Sequence, residues 1–134
     1  DVWSVTSYQE LRNEALGVER ENMLHPTREP STPKVTQILA RSKGPVIAVS
    51  DWMKLVPDQI ARWVPSDFTT LGTDGFGRSD GRDALRRHFE IDAEFIAVAA
   101  LSQLARRGEV EGKLVEEAII RFGIDPEATD PATM

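Results

Sequence analysis

Apolar and polar residues alternate through Asp1-Val2-Trp3-Ser4-Val5-Thr6, the period expected of a half-buried strand. Ser7 and Glu10 then stand in capping-box spacing, and Tyr8, Leu11, Ala15 and Val18 follow helical spacing, so the pattern predicts a helix through about Asn22. The connection from Leu24 to Thr32 contains Pro26 and Pro30, and Thr32-Pro33 supplies an N-cap and a first-turn proline for a short helix ending near Ser42. After Gly44-Pro45, Val46-Ile47-Ala48-Val49 is a continuous apolar run, the signature of a strand covered on both faces. Residues 51–63 read as a helix with Trp52, Val56, Ile60 and Trp63 on one side, which Pro57 either kinks or restarts. Phe68-Thr69-Thr70-Leu71 is a second short strand, followed by predicted helices at 83–89, 93–106 and about 111–122. Strands alternating with helices predict an α/β fold with a mostly parallel sheet and right-handed crossovers.

The helix at 93–106 departs from ordinary amphipathic patterning, because Phe95, Ile96, Ala97, Val98, Ala99, Ala100 and Leu101 leave almost no polar face in its first half. Such a helix needs cover on several sides, from the domain's own core or from a subunit or domain interface. Leu114, Ala118, Ile119 and Phe122 can supply part of it. One domain spanning 1–124 is expected, with 125–134, which has two prolines and no apolar period, as a frayed tail.

Composition narrows the function classes. A chain of 134 residues, with 40% hydrophobic and 28% charged residues, is long enough for one globular core. The net charge of −6 argues against nonspecific nucleic-acid binding, which depends on clustered Lys and Arg. Cysteine is absent, which removes disulfides, thiol nucleophiles and Cys-based metal sites and is compatible with a reducing cytoplasm. The longest nearly uncharged stretch, 95–104, is too short to span a bilayer, so no membrane role is expected.

Chemistry concentrates in Gly72-Thr73-Asp74-Gly75-Phe76-Gly77-Arg78-Ser79-Asp80-Gly81, where four glycines join a strand to a charged helix. Gly72, Gly77, Arg78 and Ser79 match G-x-x-x-x-G-K-[ST] except that Arg replaces Lys, so a nucleotide or phosphoanion module using Gly72 to Ser79 is one reading. The bulky guanidinium and the opposing charge of Asp74 weaken it. The simpler reading is a tight turn, with glycines at positive φ and Ser79 or Asp80 capping the next helix. Ser50 and Asp51 end the first apolar run at the usual ligand edge of an open α/β sheet, and their simpler role is again to cap. His25 and His88 are the acid-base candidates, but neither lies in metal-ligand spacing, and no G-x-S-x-G elbow surrounds Ser50.

Several blocks taken in order resemble one family. They are Val5-Thr6-Ser7 with Glu10-Leu11, Glu19-Arg20-Glu21-Asn22-Met23-Leu24-His25-Pro26, Ser50-Asp51-Trp52-Met53-Lys54-Leu55 and Leu71 to Asp80. Leu85-Arg86-Arg87-His88-Phe89-Glu90-Ile91-Asp92 and Val98-Ala99-Ala100-Leu101 continue the likeness over nearly the whole chain. Together they resemble the carboxyl-terminal domain of the homodimeric, bacterial pyruvate dehydrogenase decarboxylating component, a transketolase-like thiamine diphosphate enzyme.

The resemblance implies a three-layer, transketolase C-terminal-like fold, with a mostly parallel sheet flanked by helices and lacking the strand and helix that precede Val2 in the family, and it implies the bacterial cytoplasm as location. It implies a parent enzyme that decarboxylates pyruvate on thiamine diphosphate with Mg²⁺ and acetylates the lipoyl group of a dihydrolipoamide acetyltransferase partner. The implied role here is assembly, through contacts with upstream domains of the same polypeptide and with a second copy of the subunit. No catalytic, cofactor-binding or metal residue carries over. The family's thiamine motif is G-D-G followed later by Asn-Asn, whereas here Thr73 precedes Asp74-Gly75 and the only asparagines, Asn13 and Asn22, lie upstream. This fragment is therefore expected to bind no cofactor and to be non-catalytic by itself.

Overall fold

The structure, a computed structural model, describes residues 1–133. Its helices are α1 (Tyr8–Leu24), α2 (Lys34–Leu39), α3 (Leu55–Asp58), α4 (Arg82–His88), α5 (Ala93–Arg106) and α6 (Gly112–Arg121). Two strands, β1 (Val46–Val49) and β2 (Phe68–Leu71), pair in parallel, with Val46 opposite Phe68 and Val49 opposite Leu71. This is a small α/β fold with a parallel sheet flanked by helices.

The two sheet faces can be read from adjacent β2 residues, since successive side chains point to opposite sides. Phe68 packs against a core of Ala15, Val35, Ile60 and Trp63, joined by Tyr8 and Leu11 of α1 and Leu39 of α2. On the other face, the Thr69 hydroxyl accepts a 2.5 Å hydrogen bond from Gln103 Nε2 of α5. Helices therefore cover both faces of the sheet. Ser7 opens α1 as expected, its Oγ accepting the Glu10 N–H. Trp63 is fixed in the core by its indole N–H, which donates to Glu19 Oε1 at 2.8 Å.

Four expectations fail. Residues 1–6 form no strand and are fully on the surface, with Val2 100% exposed. A strand without a neighbour leaves its ladder groups to water and buries neither face, so alternation alone does not fold it. The predicted helix at 51–63 is cut to one turn, α3, and a 3-10 turn at Ala61–Trp63. Its first residues are pulled away: the Trp52 carbonyl accepts the Thr73 N–H, and the Lys54 N–H donates to Asp74. Pro57 sits buried at the third position of α3, where no intrahelical N–H is needed, so it starts a segment without breaking one.

The two remaining corrections concern helix starts. Pro33, not Thr32, occupies the N-cap of α2 and offers no side-chain cap. Gly81 occupies the N-cap of α4, and Asp80 spends its Oδ1 on the N–H of Gly81 itself, at 2.6 Å.

Helix α5 begins at Asp92, whose carboxylate accepts the Phe95 N–H at 2.9 Å, and packs on β1 and α6. Residues 94–105 are all half-buried and none is buried, so the chain's own elements leave this apolar helix partly uncovered. Arg87 ties α4 to the end of α6 by donating to the carbonyls of Phe122 and Gly123 at 2.9 and 2.8 Å, and it also pairs with Asp92. A cation at a helix C-terminus satisfies carbonyls that the helix cannot. Within 125–133, Pro131–Thr133 form a 3-10 turn and Pro131 is buried.

Candidate functional site at the carboxyl end of the sheet

Two loops leave the carboxyl ends of β1 and β2 side by side. The sheet ladder extends into them: Ser50 N–H donates to the Leu71 carbonyl and Thr73 N–H to the Trp52 carbonyl, each at 3.0 Å. Side chains lock the pair further. Thr73 Oγ1 donates to the Asp51 carbonyl, Ser50 Oγ accepts the Trp52 N–H, and Asp74 accepts the Lys54 N–H. Beside them lies an open cleft of about 730 Å³, lined by Ser50 and Asp51 from the first loop, Asp83 and Arg86 from α4, and Asp92 and Glu94 at the start of α5.

The cleft offers four carboxylates against one guanidinium, an unsuitable setting for a phosphate. The glycine loop does not reproduce a phosphate cradle either. Asp74 is engaged with Lys54, and the Gly81 N–H at the start of α4 is occupied by Asp80. Of the four glycines in the loop, expected at positive φ, only Gly75 adopts it, at 101°. The phosphoanion reading is therefore not favoured.

The structure separates the sequence-level acid-base candidates. His25 closes α1, its N–H donating to the Glu21 carbonyl and its Nε2 lying 3.0 Å from Glu21 Oε1, so it stabilises a turn. His88 stacks edge-on against Phe89 with ring centroids 4.8 Å apart. Ser50 turns its hydroxyl to its own loop, where Oγ accepts the Trp52 N–H, and among the described residues it makes no hydrogen bond to His25 or His88. Among the described residues, no three His, Cys, Asp or Glu side chains gather to hold a metal ion.

Sequence reasoning missed Glu90. It has a left-handed backbone, φ 59°, between α4 and α5, a conformation that costs a non-glycine residue about 1–2 kcal/mol. Burial pushes its carboxyl above the usual glutamate range, the neighbouring Asp130 pushes it further, and Lys54 and His88 pull it back. Nothing in the local pattern announces this, because Glu is not a residue that ordinarily marks positive φ.

The profile described as "Transketolase-like TK C-terminal domain" matches residues 1–92. The chain belongs to that family. The transketolase-like match covers both strands, the paired loops and α1 to α4. Three similar proteins each bear the name pyruvate dehydrogenase E1 component. That of Pseudomonas aeruginosa is 53% identical over 132 residues, 98% of this chain and 15% of the relative. That of Mycolicibacterium smegmatis is 52% identical over 93% of this chain and 14% of its own length. That of Escherichia coli strain K12 is 48% identical over 98% of this chain and 15% of its own length. The chain thus spans about 15% of the length of the relatives it matches, in their C-terminal portion. No helix among the described residues is long and apolar enough to cross a membrane.

Proposed function

We propose that this domain is the C-terminal assembly portion of a homodimeric pyruvate dehydrogenase E1 component of the bacterial cytoplasm. The observation that carries the reading is identity of about half over nearly the whole chain to proteins of that name. In this reading the domain body is 1–124, with 125–134 as its tail, and it meets upstream domains of its own polypeptide and a second copy of the subunit. The whole enzyme decarboxylates pyruvate with thiamine diphosphate and Mg²⁺ and passes the acetyl unit to a lipoyl-bearing dihydrolipoamide acetyltransferase.

Thiamine diphosphate supplies electron-sink chemistry wherever it is bound. The residues of this domain do not fit the cofactor: among the described residues there is no metal-holding cluster, and the glycine loop commits its Asp74 to the Lys54 N–H and closes on Pro131. What the domain contributes is shape. Its half-covered helix α5 and the clamped loops at the sheet end are surfaces made to be met by other parts of the enzyme.

The test compares the complete polypeptide with residues 1–134 alone. The complete polypeptide is expected to turn over pyruvate when given thiamine diphosphate and Mg²⁺, and calorimetric titration of the short chain with the same cofactor is expected to show no saturable heat. Micromolar binding by the short chain, accompanied by turnover, would overturn the assembly reading.

A further inference from the structure

Trp52, Met53 and Leu55 are 71%, 50% and 65% exposed, on and just after the segment that joins β1 to α3. Exposed apolar side chains on a loose loop would mean little. This loop is fixed. The Trp52 N–H and carbonyl, the Asp51 carbonyl and the Lys54 N–H are each bonded, to Ser50, Thr73, Thr73 and Asp74 respectively, at 2.9 to 3.0 Å. Beneath them Gly72 packs so closely that a Cβ there would stand 2.5 Å from the Trp52 carbonyl oxygen and 2.8 Å from the Lys54 nitrogen. Phe76, 80% exposed, follows on the glycine loop that forms the other half of the clamp.

Exposed tryptophan and methionine on a pre-ordered backbone are suited to binding, since large aromatic side chains dominate interface energies and rigid loops lose little entropy on docking. We propose that this loop pair is a docking surface for the upstream part of the same polypeptide. The inference rests on reading the chain as the C-terminal portion of a much longer protein, of which it spans about 15%. That length places most of the protein's surface upstream and tethered to this domain, at high effective concentration. A second copy of this domain suits the patch less well, because each copy carries a net charge of −6 and the pair would repel.

The test uses the complete polypeptide with Trp52 replaced by the photo-crosslinking residue p-benzoylphenylalanine, in oligomers assembled from light- and heavy-nitrogen subunits. The expected product joins position 52 to an upstream peptide of the same isotope. A mixed-isotope product would assign the patch to a second copy, and failure to crosslink to protein would mean an open surface; either overturns the proposal. Independently, the pair Trp52→Ser and Met53→Ser should speed proteolytic release of the C-terminal portion by about tenfold with native mass unchanged. Unchanged release, or dissociation of subunits, would also overturn it. Pyruvate turnover by the unaltered polypeptide tests the underlying E1 reading separately, since its loss would leave an intrachain crosslink standing.

Discussion

Gly75 packs against the backbone of Pro131 so closely that no side chain fits between them. Gly75 has φ 101°, and a Cβ built on it would run into the Pro131 carbonyl group and Ala132 Cα. The glycine loop and the end of the chain therefore form one unit, although 55 residues of sequence lie between them. Gly75→Val combines a forbidden backbone angle with a steric clash and is expected to cost about 1–3 kcal/mol or more. Gly77→Val is the matched control: Gly77 lies outside the left-handed region with nothing within 4 Å of its Cβ position, so the change should stay within about 0.5 kcal/mol. Hydrogen exchange over 72–77 and 130–133 in the complete polypeptide measures both. Equal protection in the two variants would show that Gly75 and Pro131 are not coupled.

The same junction is expected to respond to pH through Glu90. Burial first, and then Asp130, hold its carboxyl above the usual glutamate value of about 4.3, with Lys54 and His88 opposing. A raised folded-state pKa favours the protonated form, so its stabilising contribution is complete below the ordinary value and is lost as pH rises through the raised one. Protection of the segment 130–133 should accordingly fall as pH climbs out of the ordinary carboxylate range. Glu90→Gln should flatten that dependence and Asp130→Asn should reduce it. An unchanged profile in Glu90→Gln would assign the response to another group.

Glu90 also tests backbone strain apart from charge. At φ 59°, Glu90→Gly is expected to relieve strain and leave stability unchanged or higher by up to about 1 kcal/mol, whereas Glu90→Val should cost about 1–3 kcal/mol. Thermal melting of the two variants decides it, and a more stable valine variant would contradict the left-handed assignment.

How far the sequence foresaw these features depends on whether local or distant residues set them. The helix at 8–24 was legible because its apolar period and its Ser7 cap are local, and the helix at 93–106 because its apolar run is continuous, whereas its Asp92 cap emerged only in the structure. The parallel pairing of 46–49 with 68–71 agrees with the reading of an apolar run and a β-branched segment separated by helical residues. The fate of 51–54 was not legible, since its carbonyl and amide groups are claimed by Thr73 and Asp74, about 20 residues away, and local spacing still favours a helix. Edge strand 1–6 failed for the opposite reason: its alternation is clear, but no described strand pairs with it. Ser50, Asp51 and the glycine loop do lie at the carboxyl end of the sheet as read, while Glu90 and Pro131 were invisible because what marks them is set by residues distant in sequence, Asp130 and Lys54 for Glu90 and Gly75 for Pro131.

Arg87 offers a prediction about helix packing. Its guanidinium serves the carbonyls of Phe122 and Gly123, just past α6, and the Asp92 carboxylate, while lying 5.2 Å from the Phe95 ring centroid. Arg87→Met keeps much of the apolar stem but abandons those acceptors, so a loss of about 1–3 kcal/mol is expected, concentrated in α6. Faster hydrogen exchange at 112–123 with little change at 8–24 would be the signature. Uniform loosening of the whole domain would mean that Arg87 is part of the general core and not a local clamp.

Helix α5 links the fold to the proposed assembly role. Ile96 lines the cleft beside β1, and Val98 lies two residues on, about 200° around the helix, so no single neighbour covers both. Both are half-buried after α5 has packed on β1 and α6. If another domain or subunit of the enzyme supplies the remaining cover, Ile96→Asp and Val98→Asp each bury an unpaired charge in the assembled protein, at a cost of about 3–5 kcal/mol. Native mass, pyruvate turnover and thermal melting should be measured on the same preparations, with Val98→Ala as a control that removes volume without adding charge. The expected result is joint loss of assembly and turnover in the aspartate variants, with the alanine variant close to the parent. Aspartate variants that remain assembled, active and as heat-stable as the parent would place both positions against water, and the interface role of α5 would fall.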